Sequence, residues 1–412
     1  MAKVAVMGYG VVGSGVCEVL KNHLESINKK INEPIELKYI LDIKDFPKSE
    51  FSDKFTKDFD TILSDDEIRV VAEVMGGIDP AFDYVKRLLL KGKSVVTSNK
   101  ELVAEKGAEL LDIASKNNVN FLFEASVGGG IPIIRPISQC LAANDVVEIA
   151  GILNGTTNFI LTKMIKENMD FSKALLLAQE LGYAEKDPSA DINGDDACRK
   201  ICVLASLAYG KHIYPKWVHT KGISNISLED AKYASILGGV IKLIGEARKN
   251  NDGKVEISVE PMLVSNESQL SSVDDVFNGI LVKGDATGDI VFYGKGAGKL
   301  PTASAVVADI IDCVKHLKTR KQMFWKENND KSYVELYEDI KASFYIRFNL
   351  NENSESIIDE KFSDIQKFYK STKDNNIAII TPIMKIRDIN RVISEIENEN
   401  IKVLSKIRVA DL

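Results

Sequence analysis

Five carboxylates crowd into a single stretch that ends on a lysine, GYAEKDPSADINGDDACRK, running from Gly182 to Lys200: Glu185, Asp187, Asp191, Asp195 and Asp196, with Lys200. Carboxylates at that density suit an amino-bearing substrate, and a lysine among them could move a proton. From Ala197 to Ala208 the chain is apolar nearly all round, which predicts a buried helix capped near Asn193 and ended by Gly210. Asp196, Lys200, Val203 and Leu207 then share one face, so the carboxylate and the ammonium point into protein. An i,i+4 ion pair at a helix start is the simpler alternative. It leaves the acids crowding Pro188 and Gly194 without a reason.

The elements that must position these groups begin at the amino end. KVAVMGYGVVGSGVCEVL reads as a buried strand, a glycine turn and a helix, with Gly8, Gly10 and Gly13 in G-x-G-x-x-G spacing. Such glycines allow a tight turn, close approach to a pyrophosphate and close helix packing. A second strand near Leu37–Leu41 presents Asp42, suited to a free ribose hydroxyl and NAD, and Lys44, suited to a 2′-phosphate and NADP; both readings stay open beside a solvated loop. VVAEVMGG, from Val70, and SVVTSNK, from Ser94, predict further parallel strands with a helix over Pro80–Lys91 between them. Ser98 and Glu101 have capping-box spacing for the next helix. In FEASVGGGIPII, from Phe123, a glycine turn could gather carbonyls around a small cation with Glu124 as its charged ligand, or could be a hinge into a helix over Ile133–Leu141.

Asp145–Leu161 predicts a strand, a turn at Asn154, Gly155 and Thr156, and a helix. GKVEISVEPMLV and NGILVKGDATGDIVFYG alternate as antiparallel strands that could also pair subunits. GKGAGKLPTASAVVADIIDCVKHL follows as a glycine turn and a helix with Pro301 at its start. Thr319–Lys331 is basic and polar and reads as a linker. Beyond it SFYIRFNL, NIAIITPI and IKVLSKIRV are expected strands, with helices near Ile357–Tyr369 and Ile386–Glu399. The fold class is therefore α/β, with a doubly wound nucleotide-binding domain over 1–144 completed by a helix over 301–318, a mixed α/β domain over 145–300 and a small ferredoxin-like unit over 332–412.

A net charge of −7 and the lack of a basic stripe count against nucleic acid, and no apolar run approaches the roughly 20 residues that span a bilayer. The first residues enter a strand without a signal-peptide pattern, so a cytoplasmic protein is expected. Cys17, Cys140, Cys198, Cys202 and Cys313 are too scattered for a disulfide framework, and Cys198 with Cys202 reads as core packing. The four histidines are dispersed.

Taken whole, the Gly182–Lys200 segment resembles the signature of homoserine dehydrogenases, with Ala178, Gly182, Tyr183, Pro188, Asp191, Gly194, Asp196 and Lys200 at the family's spacing. The resemblance implies NAD(P)-dependent interconversion of L-aspartate 4-semialdehyde and L-homoserine, within threonine, methionine and isoleucine biosynthesis, by a homodimer or homotetramer. It makes Lys200, Asp196 and Lys100 catalytic, and Glu185, Asp191, Gly155, Thr156 and Tyr183 substrate-binding, with Thr156 contributing its hydroxyl. Gly8, Gly10, Val11, Val12, Gly13, Gly76, Ser98, Lys100, Gly296 and Gly298 become cofactor contacts. A monovalent cation, sodium, is implied at Glu124 and the carbonyls of Val127, Gly129 and Ile131. The last eighty or so residues resemble an ACT domain, yet NENSESIIDEK replaces its usual glycine turn, so weak or no threonine inhibition is expected and the unit should be dispensable for chemistry on truncation near Lys321. A different dinucleotide-dependent amino-acid dehydrogenase would lack the acidic signature, and a non-catalytic amino-acid sensor would have no use for Lys100, Asp196 and Lys200.

Overall fold

The computed structural model describes the chain apart from residues 32, 320–322, 324, 352 and 372. Its first sheet holds β1 Ala2–Met7, β2 Ile35–Leu41, β3 Phe55–Thr56, β4 Ile68–Glu73, β5 Ser94–Thr97 and β6 Phe121–Leu122. The strands are all parallel, in the order β3-β2-β1-β4-β5-β6 of a doubly wound sheet. Both faces are covered, so alternate side chains enter two cores. Ala5, Met7, Val71 and Val95 pack beneath the helices Ala81–Leu90 and Lys100–Lys116. Val4, Val6, Val70, Ala72 and Val96 meet Val16, Cys17 and Leu20 of the helix Val11–Asn22. The helix Lys299–Lys315 returns to this second core through Ala303, Val306, Val307 and Ile310.

The second sheet contains β7 Val146–Ile152, β8 His219–Thr220, β9 Gly239–Lys249, β10 Val255–Ser265, β11 Phe277–Gly284 and β12 Gly288–Lys295. The remaining strands are β13 Lys341–Ala342, β14 Phe344–Asn349, β15 Lys367–Ser371, β16 Asn376–Ile380, β17 Met384–Lys385 and β18 Val403–Val409. The long sheet runs β12-β11-β7-β9-β10-β18-β14-β16-β15, with β8 beside β10, while β13 pairs β17 separately. On its helical side Ile201, of the helix Asp195–Tyr209, sits against Gly245, where an added Cβ would lie 3.2 Å from the Ile201 Cβ.

This topology corrects the expectation of a detached carboxy-terminal unit. β14, the helix Ser354–Lys361, β15, β16, the helix Ile386–Asn398 and β18 do follow the ferredoxin-like order. However, β18 pairs parallel with β10 through Met262 with Arg408 and Leu263 with Val409, making one continuous sheet. Arg408 is buried, and its guanidinium meets Glu246 at 2.8 Å and Glu260 at 3.6 Å.

The stretch expected as a linker is also bound to the body, although residues 320–322 and 324, including the truncation point Lys321, lie outside the described residues. Trp325 is buried and donates from its indole nitrogen to His212 at 3.0 Å, while an added Cβ on Gly107 would meet its ring at 3.1 Å. His212 and Lys326 complete the strap with main-chain bonds of 2.8 and 3.0 Å, the latter to Gly210. One apolar anchor thus overrides the polar composition around it. The helix expected near Ile357–Tyr369 ends at Lys361, because Lys367–Ser371 finds a strand partner in Asn376–Ile380. Among the described residues no helix is long and apolar enough to cross a membrane.

Candidate active site

The helix Asp195–Tyr209 starts at Gly194, whose φ of 91° is left-handed, and stops at Gly210, with φ 76°. Asn193 supplies no side-chain cap, contrary to expectation; glycine at the junction lets the chain turn directly into the helix beneath Thr220. Asp196 and Lys200 are both buried on the inward face, as their spacing predicts.

The Asp196 carboxylate is the hub. One oxygen accepts from Lys200 at 2.7 Å and from Asn154 Nδ2 at 2.8 Å, and the other is paired with Lys100. Burial alone would raise its pKa, but the two ammonium groups hold it well below the usual carboxylate range. Lys200 also donates to the Leu153 carbonyl at 2.7 Å. Burial pulls its pKa down, and the charge of Asp196 only partly offsets that and the repulsion from Lys100. Lys100 moves the other way: burial acts against its charge, but the attraction of Asp196 wins and its pKa rises. Asn154 Nδ2 donates further to Asp191 at 2.7 Å, and burial followed by the nearby Asp196 charge raises the Asp191 pKa. Two carboxyl groups and two amines thus meet in one hydrogen-bonded and ion-paired cluster.

Lys100 reaches this hub because β5 ends at the carboxyl edge of the first sheet and the helix Lys100–Lys116 begins there. Its cap is Asn99, which accepts from Leu102 N at 3.0 Å, and not Ser98 as the capping-box spacing suggests. The Thr97 hydroxyl receives Asn99 N at 2.9 Å and so already orders that turn.

The remaining expected substrate residues divide. Gly155 opens the helix Gly155–Glu167 against the Val276 carbonyl, where an added Cβ would sit 2.8 Å away. The Thr156 hydroxyl donates to the Tyr183 carbonyl at 2.7 Å, so its expected side-chain contact with substrate is replaced by an internal bond; its main-chain N–H lies in the open first turn. Tyr183 is half-exposed, with its ring edge on Phe159 at 5.1 Å. Glu185 is exposed and outside the hub, and among the described residues no hydrogen bond or ion pair holds its carboxylate. Asp187 is spent on Ser189 N at 3.1 Å, and Asp195 is exposed.

In the glycine turn Gly8 has φ 97°, and a Cβ on Gly13 would lie 1.9 Å from the Gly8 carbonyl oxygen. Gly10 precedes Val11 and Val12 at the helix start and has open space around it, as has Gly76 at φ 82°. Asp42 accepts from Tyr9 N at 2.7 Å and Lys44 N at 2.9 Å, tying the second strand to this turn. Ser98 N meets the Glu73 carbonyl at 3.4 Å. Gly298, with φ 122°, precedes the returning helix, and Gly296 lies against Gly129, where a Cβ would be 2.4 Å from the Gly296 carbonyl oxygen.

The Glu124 carboxylate is fully engaged by Ile133 N, Ile134 N and Arg135 N at 2.6–2.9 Å and by Arg135 Nε at 3.1 Å. Its side chain therefore caps the next segment, which is π-helical over Pro136–Cys140, and is not free as a cation's charged ligand. The turn's own hydrogen bonds use the Gly128 and Lys295 carbonyls and leave those of Val127, Gly129 and Ile131 aside. The residues present thus fit a cation through main-chain oxygens alone.

Several positioning residues were missed. Asn154 joins Asp191 to Asp196, and its signal was the turn before Gly155. Glu73 is buried and receives Thr97 Oγ1 at 2.6 Å and Met75 N at 2.8 Å, fixing the turn that contains Gly76; burial raises its pKa. Gly15 adds a second close contact, helix to helix, since its Cβ would lie 3.0 Å from Ala303 and Lys299. Asp309 reaches back from the returning helix to Glu124 N at 2.8 Å.

A parallel dinucleotide sheet that meets, through Lys100, a buried lysine and carboxylate hub defines a nucleotide-dependent dehydrogenase of small polar substrates. Comparison gives the family. A family model described as homoserine dehydrogenase matches residues 132–311, and one described as the homoserine dehydrogenase NAD binding domain matches residues 8–124. Homoserine dehydrogenase of Bacillus subtilis (strain 168) is 40% identical over 320 residues, covering 77% of this chain and 73% of the relative. The crystal structure of a homoserine dehydrogenase from Thiobacillus denitrificans matches with TM-score 0.90 and 34% identity over 99% of this chain and 98% of that one. A hyperthermophilic archaeal homoserine dehydrogenase in complex with NADPH matches with TM-score 0.64 and 27% identity over 76% of this chain and 97% of that one. The chain belongs to the homoserine dehydrogenase family and is an NAD(P)-dependent oxidoreductase.

Proposed function

We propose that Lys200 is the proton carrier in the interconversion of L-homoserine and L-aspartate 4-semialdehyde. The observation that carries this reading is the Asp196 carboxylate held between the Lys200 and Lys100 ammonium groups. When bound, the nicotinamide supplies or takes the hydride. In the oxidative direction the hydroxyl proton of homoserine passes to neutral Lys200 as the aldehyde forms; in the reverse direction Lys200 in its ammonium form protonates the developing alkoxide. Two of its N–H bonds are anchored, to Asp196 and Leu153, which aims the remaining position outward. Lys100 adds positive charge where oxygen becomes negative.

The substrate carboxylate fits the main-chain N–H groups of Gly155 and Thr156, where the first turn of a helix favours an anion. Its amino group fits Asp191 and Glu185. Val127, Gly129 and Ile131 would hold a monovalent cation by their carbonyls, bracing the turn against Gly296. The ACT-like reading of the last unit is supported by its ferredoxin-like order alone. The test is NAD(P)H formation with L-homoserine against a panel of other hydroxy and amino acids. Turnover restricted to a different substrate would overturn the assignment.

A further inference from the structure

Asn278, on β11, carries no role in the reading above and is chemically the odd residue of the site. It is fully buried, and neither Oδ1 nor Nδ2 has a hydrogen-bond partner; among the described residues no other side chain leaves both of its polar atoms so. Buried amides are almost always satisfied, because an orphaned donor or acceptor carries its whole desolvation cost. Such a group persists where a ligand or a working geometry requires it.

Its position supplies the reason. Asn278 pairs in register with Gly294, at the end of β12 that leads into the turn Gly294–Gly298. A Cβ on Gly296 would lie 2.2–2.4 Å from the Asn278 Cγ, Oδ1 and Nδ2, so the amide lies flat beneath that glycine. On its other side, Asn278 Oδ1 would be 3.6 Å from a Cβ on Gly155, at the start of the helix proposed to hold the substrate carboxylate. One residue along β11, Gly279 pairs with Ile152, next to the Leu153 whose carbonyl anchors Lys200. The amide is thus wedged between the cofactor turn and the substrate end of the site.

We propose that Asn278 is a positioning residue for hydride transfer. It sets the height of the Gly296 turn above the Gly155 helix start, and so the separation of nicotinamide and substrate, and its amide gains hydrogen bonds when both ligands are bound. The proposal rests on the homoserine dehydrogenase reading. Hydride transfer is sensitive to such spacing, since a displacement near 1 Å can cost about 10²-fold in rate.

The test uses the full chain and four variants: Asn278→Leu, Asn278→Ala, Gly296→Ala and the double variant Gly296→Ala with Asn278→Ala. Asn278→Leu replaces orphaned atoms by apolar ones of similar shape, so its thermal midpoint should match or exceed the wild type's while kcat with homoserine falls about tenfold or more. The deuterium isotope effect on kcat, with homoserine deuterated at its carbinol carbon, should rise as the chemical step slows. Gly296 has no positive φ, so Gly296→Ala should fail by the clash with Asn278, weakening NADPH binding as read by fluorescence titration. The double variant should recover much of that affinity. Unchanged turnover in Asn278→Leu and Asn278→Ala, loss of turnover in step with a fall in the thermal midpoint, failure of both to fold, or no recovery in the double variant would each overturn the proposal. A wild-type chain inactive on homoserine would instead sink the functional reading, while the NADPH titrations would still decide the Gly296–Asn278 wedge.

Discussion

Lys200 and Lys100 share one buried carboxylate, that of Asp196, yet the two lysines differ in role. The depressed pKa of Lys200 favours proton exchange, whereas the raised pKa of Lys100 keeps a fixed charge. Lys200→Ala should therefore lower kcat by about 10²-fold or more with little change in cofactor affinity, as measured by steady-state kinetics and NADPH titration. Homoserine oxidation needs the neutral amine, so kcat should rise with pH through an apparent pKa below that of free lysine. That limb should vanish in Lys200→Ala, and a limb that survives would move the proton to another group. Glu185→Leu should chiefly raise KM for homoserine, through loss of a charge partner for the amino group, and an unchanged KM would remove it from the site. The Asp196 and Lys200 pairing was legible because helical spacing puts i and i+4 on one face. Lys100 came only by family resemblance, since no local pattern shows that helices starting nearly a hundred residues apart meet at one carboxylate.

At the scale of elements, the glycine turn has the least room. With Gly13 held 1.9 Å, as a Cβ, from the Gly8 carbonyl, Gly13→Ala should push the helix Val11–Asn22 away from β1 and cut NADPH affinity at least about tenfold, an effect of about 1.4 kcal/mol or more. Titration of the variant at wild-type affinity would show that the turn yields freely. The strand, turn and helix pattern here was plain in the sequence, because glycine spacing and apolar runs are local signals. The caps were less so. Ser98 and Asn99 both precede the helix and both can cap; the bond from Asn99 N to Thr97 Oγ1 settles which does, and Thr97 gave no such signal. Likewise KFYKS became a strand only because NIAII lies beside it, a partnership that propensity cannot reveal.

The whole molecule is held together by a join that the sequence hid. Pairing between β10 and β18 spans well over a hundred residues, and the basic stretch between them looked like a tether. Arg408 is the chemical centre of this join, with Glu246 and Glu260 against its guanidinium, and Glu148 lies beside Glu246. Burial, and then the charge of Glu246, pushes the Glu148 carboxyl up to about 8. Because that folded pKa lies above the unfolded one, the stability from protonated Glu148 is fully present below the unfolded pKa and is lost as pH rises through about 8. Deleting residues 341–412 would remove Arg408, the only arginine from beyond β10 in this cluster among the described residues, leaving Glu246 and Glu260 buried against a missing strand. The earlier expectation that truncation preserves turnover is therefore replaced by a loss of stability, seen as a lower thermal midpoint or insolubility. Arg408→Met in the full chain isolates the charge: it should cost about 3–5 kcal/mol in urea unfolding, because uncompensated buried carboxylates remain. The loss should be largest above about pH 8, where Glu148 adds its own charge beside Glu246, and Glu246→Gln in the same chain should recover part of it. Wild-type stability in Arg408→Met across that range would show that β18 merely rests on the body, and the truncation would then again be expected to keep its turnover.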